Sequence, residues 1–407
     1  MIAIVIVAYN RPEPLKRLLD SVSKGIYPDE SIDLIISIDK SDNENIEKIA
    51  HEFVWSFGQK TIIQHESRLG LKKHILSCGD LTYQYENIIL LEDDLVVSPA
   101  FYLFAKKVIG ISDQKKQICG YALYSPTFNE VSFINFQPLN AGSDYFLMKV
   151  PCSWGQIWTR EQWHDFKLFY VENNSIEDIL PPTIASWPSE KSWKKYFYSY
   201  MIKNNKYFLY PYLAFSTTLG DPGENLGFFN SSIIAPLTLS NNLDEFGKNE
   251  KDVIYFDEYF EIETHSLKKL APQLAEYDFT VDIYGSKNLK NFNCTYAISL
   301  KTTSKAILSY DFHYYPFELN LIYNCVGFFF SLAHKDSFED IEPETRKIFI
   351  RGSDYHQFQK AIQDSYHKGL NNGIKMASET FKKSLSFRIG QLILFPFSYI
   401  RKVFKKV

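Results

Sequence analysis

Three consecutive carboxylates, Glu92, Asp93 and Asp94, follow the apolar run Ile88–Leu91 and precede a second one, Leu95–Val97. An uninterrupted apolar run with β-branched residues fits a strand of a parallel sheet covered on both faces, so the acids stand where that strand ends. Ligands of open α/β sheets bind at the carboxyl ends of the strands. Three adjacent like charges repel one another and resist desolvation unless a cation or hydrogen-bond donors compensate them. A hard divalent metal is the commonest compensator of such oxygen clusters, the alternative being an acidic turn that is merely solvated. Other residues able to do chemistry recur at the ends of apolar runs. Arg11 follows the first run, Asp39 ends the second, and His74 lies in LGLKKHIL ahead of the acids.

The elements that must position these residues alternate between strand and helix signals. Ile2–Ala8 reads as a buried strand, and Asn10, Arg11 and Pro12 turn into a helix with Leu15, Leu18, Leu19 and Val22 on one face. Ile32–Ile38 is the second strand. Ser41, Asp42 and Asn43 then cap a helix carrying Ile46, Ile49, Ala50, Phe53, Val54 and Phe57. Thr61–Gln64 makes a short third strand, and a helix from about Leu69 to Tyr83 leads to the strand with the acids. This order predicts a parallel, doubly wound α/β sheet with right-handed crossovers.

A chain of 407 residues, 45% hydrophobic and 16% aromatic, is globular and long enough for two or three domains. Five widely spaced cysteines without a CxxC pair suggest neither a disulfide framework nor a zinc site. The N-terminal run shows no signal-peptide pattern and no apolar stretch of spanning length, so the expected compartment is the cytoplasm.

Five of the six tryptophans, Trp154, Trp158, Trp163, Trp187 and Trp193, crowd the zone from about Ser98 to Phe229. Singly each is read as core, whereas as a group near a strand-end site they suit stacking against sugars or bases. From about Ser266 the pattern becomes irregular and reads as an appended α+β region. The net charge of −4 divides into +7 over Lys375–Val407 and −11 over the rest. From Phe381 onward apolar residues fall along one approximate helical face with cations mostly elsewhere. Such a basic amphipathic tail lies on an anionic membrane surface, the alternative being a helix docked on its own domain. No nucleic-acid module is apparent, since the tail is the only basic segment. The expected division is residues 1–265, 266–374 and 375–407, the last associating peripherally with the inner face of the plasma membrane.

The segments IVIVAYNRPEPLKRLLDSV, IISIDKSDNEN and EDDLVVSP together resemble a nucleotide-sugar glycosyltransferase of the GT-A fold, a Rossmann-like, mostly parallel sheet. The likeness is to the N-acetylglucosaminyltransferase I family and to bacterial envelope-polysaccharide enzymes, and it runs from about Ile2 to Gly227. It implies a UDP-sugar donor and a glycan or lipid-linked acceptor. It implies that Asp94 ligates Mn²⁺ or Mg²⁺ on the diphosphate and that Glu92 and Asp93 contact ribose and sugar. Asp39 matches the acid that accepts from the uracil ring, or else caps the following helix. Arg11 matches an arginine near the nucleotide, with Ala8 and Asn10 in the same stretch, and His74 falls near a histidine contacting the donor. Arg68, Lys72 and Lys73 are available to the diphosphate charge.

The base that takes the acceptor's proton departs from the pattern. In SWPSEKSWKKYFYSYM the position where the family carries an Asp is Lys194. Glu190, Asp221 and Glu224 are the candidate substitutes. A retaining mechanism, or a chain that binds nucleotide-sugar or glycan without turnover, are the alternatives. A nucleotidyltransferase is disfavoured because AYNRPEP lacks the Gly-rich phosphate loop.

Overall fold

A computed structural model describes residues 1–112, 116–172, 179–221, 230–339, 369 and 372–376. The chain divides into two units, Met1–Lys347 and Ile348–Val407. In the second unit the described residues include a short exposed helical stretch, 372–376. The amphipathic tail expected from Phe381 onward lies outside the described residues.

The first unit opens with β1 (Ile2–Ala8), α1 (Pro12–Val22), β2 (Leu34–Ile38), α2 (Glu44–Glu52), β3 (Lys60–Gln64), α3 (Gly70–Gly79), the single turn α4 (Thr82–Tyr85) and β4 (Asn87–Glu92). All seven residues of β1 and all five of β2 are buried, which is why neither strand alternates apolar with polar. β1 runs parallel to both neighbours, with Val7 opposite Ser37 on one side and Glu92 on the other. The ends carrying Ala8, Asp39 and Glu92 therefore lie side by side. α1 buries the expected Leu15, Leu18, Leu19 and Val22.

After β4 come β5 (Leu95–Val97), α5 (Phe101–Ser112), β6 (Ile118–Ala122), the hairpin β7 (Phe128–Asn129) and β8 (Ile134–Asn135), β9 (Tyr145–Met148), β10 (Gln156–Thr159), α6 (Arg160–Glu172), α7 (Pro182–Ala185), α8 (Trp193–Lys203), β11 (Tyr207–Pro211), β12 (Ser216–Thr218) and β13 (Tyr255–Phe256). The central sheet has nine strands in the order β13-β9-β11-β6-β10-β4-β1-β2-β3. β1–β2, β1–β4, β2–β3, β6–β11 and β9–β13 are parallel, and the other three pairings are antiparallel. The sheet is the expected Rossmann-like, mostly parallel α/β sheet. It is all-parallel only from β3 to β4, because β10 enters antiparallel between β4 and β6 and needs no crossover helix there.

Two helices end earlier than their periodicity suggests. α2 stops at Glu52, where Phe53 turns extended and Trp55 enters the core, its Nε1 donating to the Ile32 carbonyl at 2.7 Å. Val54, expected on the apolar face, is exposed. The helix expected over 69–83 breaks into α3 and α4 beside Trp163, whose Nε1 donates to Asp80 at 2.8 Å. A Cβ on Gly79 would stand 2.1 Å from the Trp163 ring, so the close packing there requires glycine.

The later part of the unit is α+β, as expected. α9 (Thr264–Leu270) and α10 (Glu318–Ile322) accompany β14 (Phe279–Asp282), β15 (Tyr296–Ser299), β16 (Leu308–Tyr310) and β17 (Phe330–His334), a sheet in the order β14-β15-β17-β16. Among the described residues no helix is long and apolar enough to cross a membrane.

Candidate active site

A cavity of about 540 Å³ opens at the carboxyl end of the parallel strands. Arg11, Glu92, Asp94, Glu130, Lys194 and Asp221 contribute its charged wall, together with Lys191, and Trp154 and Trp187 its aromatic wall. Glu92 is the last residue of β4, and Asp93 and Asp94 form the tight turn into β5. β5 pairs antiparallel with β12, Leu95 opposite Thr218, which brings the acid turn beside the segment that leads to Asp221.

Arg11, at the N-cap of α1, bridges the two aspartates: its guanidinium donates to Asp93 and reaches Asp94 Oδ2 at 3.1 Å. The Tyr9 amide donates to Asp93 at 3.2 Å. Burial, followed by repulsion from Asp94 and Asp93, raises the Glu92 carboxyl to about 8, with Arg11 and Lys194 opposing. Burial raises Asp93 to about 6, opposed first by Arg11. Both carboxyls thus resist ionisation chiefly because they are buried, and a bound cation would favour their charged forms. Hard carboxylate oxygens on a cavity wall suit a hard divalent cation that also binds phosphates. Among the described residues no group of three or more His, Cys, Asp or Glu is placed to hold a metal ion.

Asp39 is buried at the end of β2, and its carboxylate accepts the amides of Lys40 at 2.9 Å, Leu69 at 2.7 Å and Gly70 at 2.9 Å. It therefore ties down the start of α3, a different helix from the one that follows it in sequence. With about four acceptor positions on a carboxylate, one remains for a ligand. His74 is buried behind it, its Nε2 sharing a 2.8 Å hydrogen bond with Ser37 Oγ. Burial lowers His74 to about 4, Asp39 opposing and His65 assisting. Ala8 is buried, its carbonyl accepting from the Asp39 amide, whereas Asn10 is exposed. Arg68 lies over the Tyr9 ring, Lys72 over the Tyr196 ring at 3.8 Å, and Lys73 is exposed.

Of the candidate bases, Asp221 lines the cavity and is ion-paired to Arg17 of α1. Glu190 is exposed, in the turn before α8. Glu224 lies outside the described residues.

Lys194, in the first turn of α8, meets Glu130 at 2.7 and 2.8 Å. Tyr198, one helical turn later, donates to Glu130 Oε1 at 2.6 Å. Trp154 and Trp187 flank Lys194, ring centroids 5.8 and 5.6 Å from its Nζ. Glu130 belongs to the β7–β8 turn, which Asn129 closes by accepting the amides of Val131 at 2.9 Å and Ser132 at 3.0 Å. Sequence reasoning missed Glu130, a lone acid in an irregular stretch. Lys195 points the other way, donating to the carbonyls of Ala185 and Trp187 and to Ser189 Oγ, and so anchors the loop bearing Trp187. Trp158 and Trp163 are fully buried core, whereas Trp193, also buried, lines the cavity with Trp154 and Trp187, so three of the five clustered tryptophans reach it.

Residues 3–107 match the family model described as glycosyl transferase family 2. The matched residues include Ala8, Asn10, Arg11, Asp39, His74 and the three acids, whereas Glu130, Lys194 and Asp221 lie beyond them. The N-acetylglucosaminyltransferase I likeness is carried by the quoted residues alone. No curated protein sequence matches the chain.

Among solved structures, S. aureus TarS 1–349 in complex with UDP-GlcNAc shares 14% identity, over 56% of this chain and 60% of that one, with a TM-score of 0.37. S. aureus TarS shares 12% over 53% and 36%, with a TM-score of 0.32. The mannosyltransferase PcManGT from Pyrobaculum calidifontis, in complex with GDP-Man and Mn²⁺, shares 9% over 45% and 50%, with a TM-score of 0.29. The match spans less than two thirds of each of these chains.

Proposed function

We propose that the chain transfers a sugar from a UDP-sugar to a hydroxyl of a glycan or lipid-linked acceptor in bacterial envelope polysaccharide synthesis. The carrying observation is the Glu92–Asp93–Asp94 turn, at a strand end within the residues that match the family 2 model, opening on a cavity large enough for a nucleotide-sugar.

Asp94, with Glu92 beside it, would hold Mn²⁺ or Mg²⁺, which supplies charge neutralisation on the departing diphosphate. Arg11 adds a fixed positive charge on the same side and holds the acid turn in one geometry. The remaining acceptor position on Asp39 suits the imide N–H of uracil. His74, neutral and bonded to Ser37, supports that end of the sheet from inside. Trp154 and Trp187 present flat apolar surface to a sugar. The basic amphipathic tail, residues 375–407, would keep the enzyme at an anionic membrane surface where lipid-linked acceptors reside.

The second reading, a nucleotide-sugar or glycan-binding subunit without turnover, is favoured by Lys194 standing at the acid position of the resemblance.

Nucleotide release from UDP-GlcNAc, UDP-glucose and UDP-galactose, with and without Mn²⁺, separates the two. The enzyme reading expects Mn²⁺-dependent release from one donor and a loss of about 100-fold or more in Asp94→Ala with the fold intact. Donor binding without release from the wild type would favour the binding subunit. Release unaffected by Asp94→Ala would overturn the role given to that residue.

A further inference from the structure

We propose that Glu130 is the general base of this transfer, deprotonating the acceptor hydroxyl, and that the acceptor presents a sugar ring to Trp154 and Trp187. The proposal rests on the glycosyl-transfer reading above.

A base must stand on the cavity wall, across from the donor acids, with a carboxylate oxygen open to the acceptor. Asp94, Glu92 and Asp93 belong to the donor side, as does Asp221, which follows the strand paired with β5 and is ion-paired to Arg17 through Oδ2. Glu130 lines the cavity with the two half-buried tryptophans. Its Oε1 accepts from Lys194 and from Tyr198, and among the described residues its Oε2 accepts from Lys194 alone. With about two acceptor positions on each oxygen, Oε2 retains one.

The helix geometry gives a second reason. The first turn of a helix favours a negative charge and disfavours a positive one. Lys194 in that turn is matched by the Glu130 carboxylate, brought to the α8 N-terminus from a hairpin 64 residues earlier in the chain. The chain thus retains an acid at this end of the helix while carrying it on a different element. Lys194 and Tyr198 hold that acid as positioning residues.

In the step, the acceptor oxygen bonds to the anomeric carbon as the bond from that carbon to the diphosphate oxygen breaks. The bonding pair leaves with the nucleoside diphosphate, and the hydroxyl proton passes to Glu130 Oε2. No oxidant or further reactant is needed.

The test follows nucleotide release to water from whichever UDP-sugar of the panel above the wild type turns over, in full-length protein with Mn²⁺. Glu130→Gln should lower kcat by about 10²–10⁴-fold while donor affinity, read by calorimetry, stays within about twofold. Glu130→Ala should regain turnover when sodium formate supplies a carboxylate, which a merely structural residue would not do. If Glu130→Gln unfolds because Lys194 is left unpaired, Glu130→Gln with Lys194→Met removes that charge, and the same loss of kcat is expected. Turnover within about fivefold of wild type in any folded variant lacking the Glu130 carboxylate, or a loss that formate does not restore in Glu130→Ala, would overturn the assignment. No release from any donor by the wild type would instead overturn the transfer reading on which it rests.

Discussion

The Asp39 carboxylate accepts the Leu69 amide at 2.7 Å, so the end of β2 and the approach to α3 are fastened together by one buried acid. The same oxygen also accepts from Lys40, and the other from Gly70. On the proposed reading, structure and ligand recognition then fall to a single side chain.

Asp39→Asn should therefore lower both stability and nucleotide affinity. An amide keeps one acceptor oxygen and turns the other into a donor facing a backbone N–H, a mismatch costing about 1.5–3 kcal/mol where the lost hydrogen bond was to a charged group. Urea denaturation reads the stability change, and calorimetry with UDP reads the affinity. A variant as stable as wild type would show that the three amide contacts are not holding α3.

The pH dependence of stability should reveal the acid turn. Glu92 is raised to about 8 in the folded protein, from an ordinary value of 4.5. The folded state therefore binds more protons than the unfolded state between those limits. The contribution of Glu92 to stability is present below pH 4.5 and is lost as pH rises towards 8. Glu92→Gln should flatten this fall and melt higher than wild type at pH 8 without added metal, by at least about 1 kcal/mol on the scale of one pK unit. Mn²⁺ should raise the wild-type melting temperature at pH 8 more than that of the variant, a comparison made by calorimetric scans of both proteins.

Gly220 tests the turn between β12 and Asp221. Its φ of +70° is left-handed, and a Cβ there would stand 2.3 Å from the Asn230 carbonyl oxygen. Gly220→Ala should cost about 1–3 kcal/mol from the backbone conformation alone, before the clash is counted. A thermal melt unchanged from wild type would contradict this conformation.

Much of the proposed donor side was legible because burial on both faces leaves an unmistakable mark. Ile2–Ala8 and Ile88–Leu91 have no polar interruption, and the polar residues that follow them, Asn10, Arg11 and the acids, lie at strand ends by necessity. The boundary at Phe53 was hidden because Val54 and Phe57 continue a helical spacing, while a tertiary contact, Trp55 to Ile32, decides the turn. The antiparallel entry of β10 was hidden because direction depends on a loop, which leaves no periodicity. Glu130 was illegible for a related reason. An isolated acid in FNEVSF gains meaning only when α8 brings Lys194 to it, and that pairing spans two elements with no shared pattern.

The loop bearing Trp187 is secured by three hydrogen bonds from the Lys195 ammonium. An aromatic wall fixed by its own chain loses little rotamer freedom when a ligand arrives, a cost that otherwise amounts to about 0.5–1.5 kcal/mol for each side chain immobilised. Acceptors would then be selected by how well they fit a rigid surface, and poorly matched rings would be turned away at the encounter.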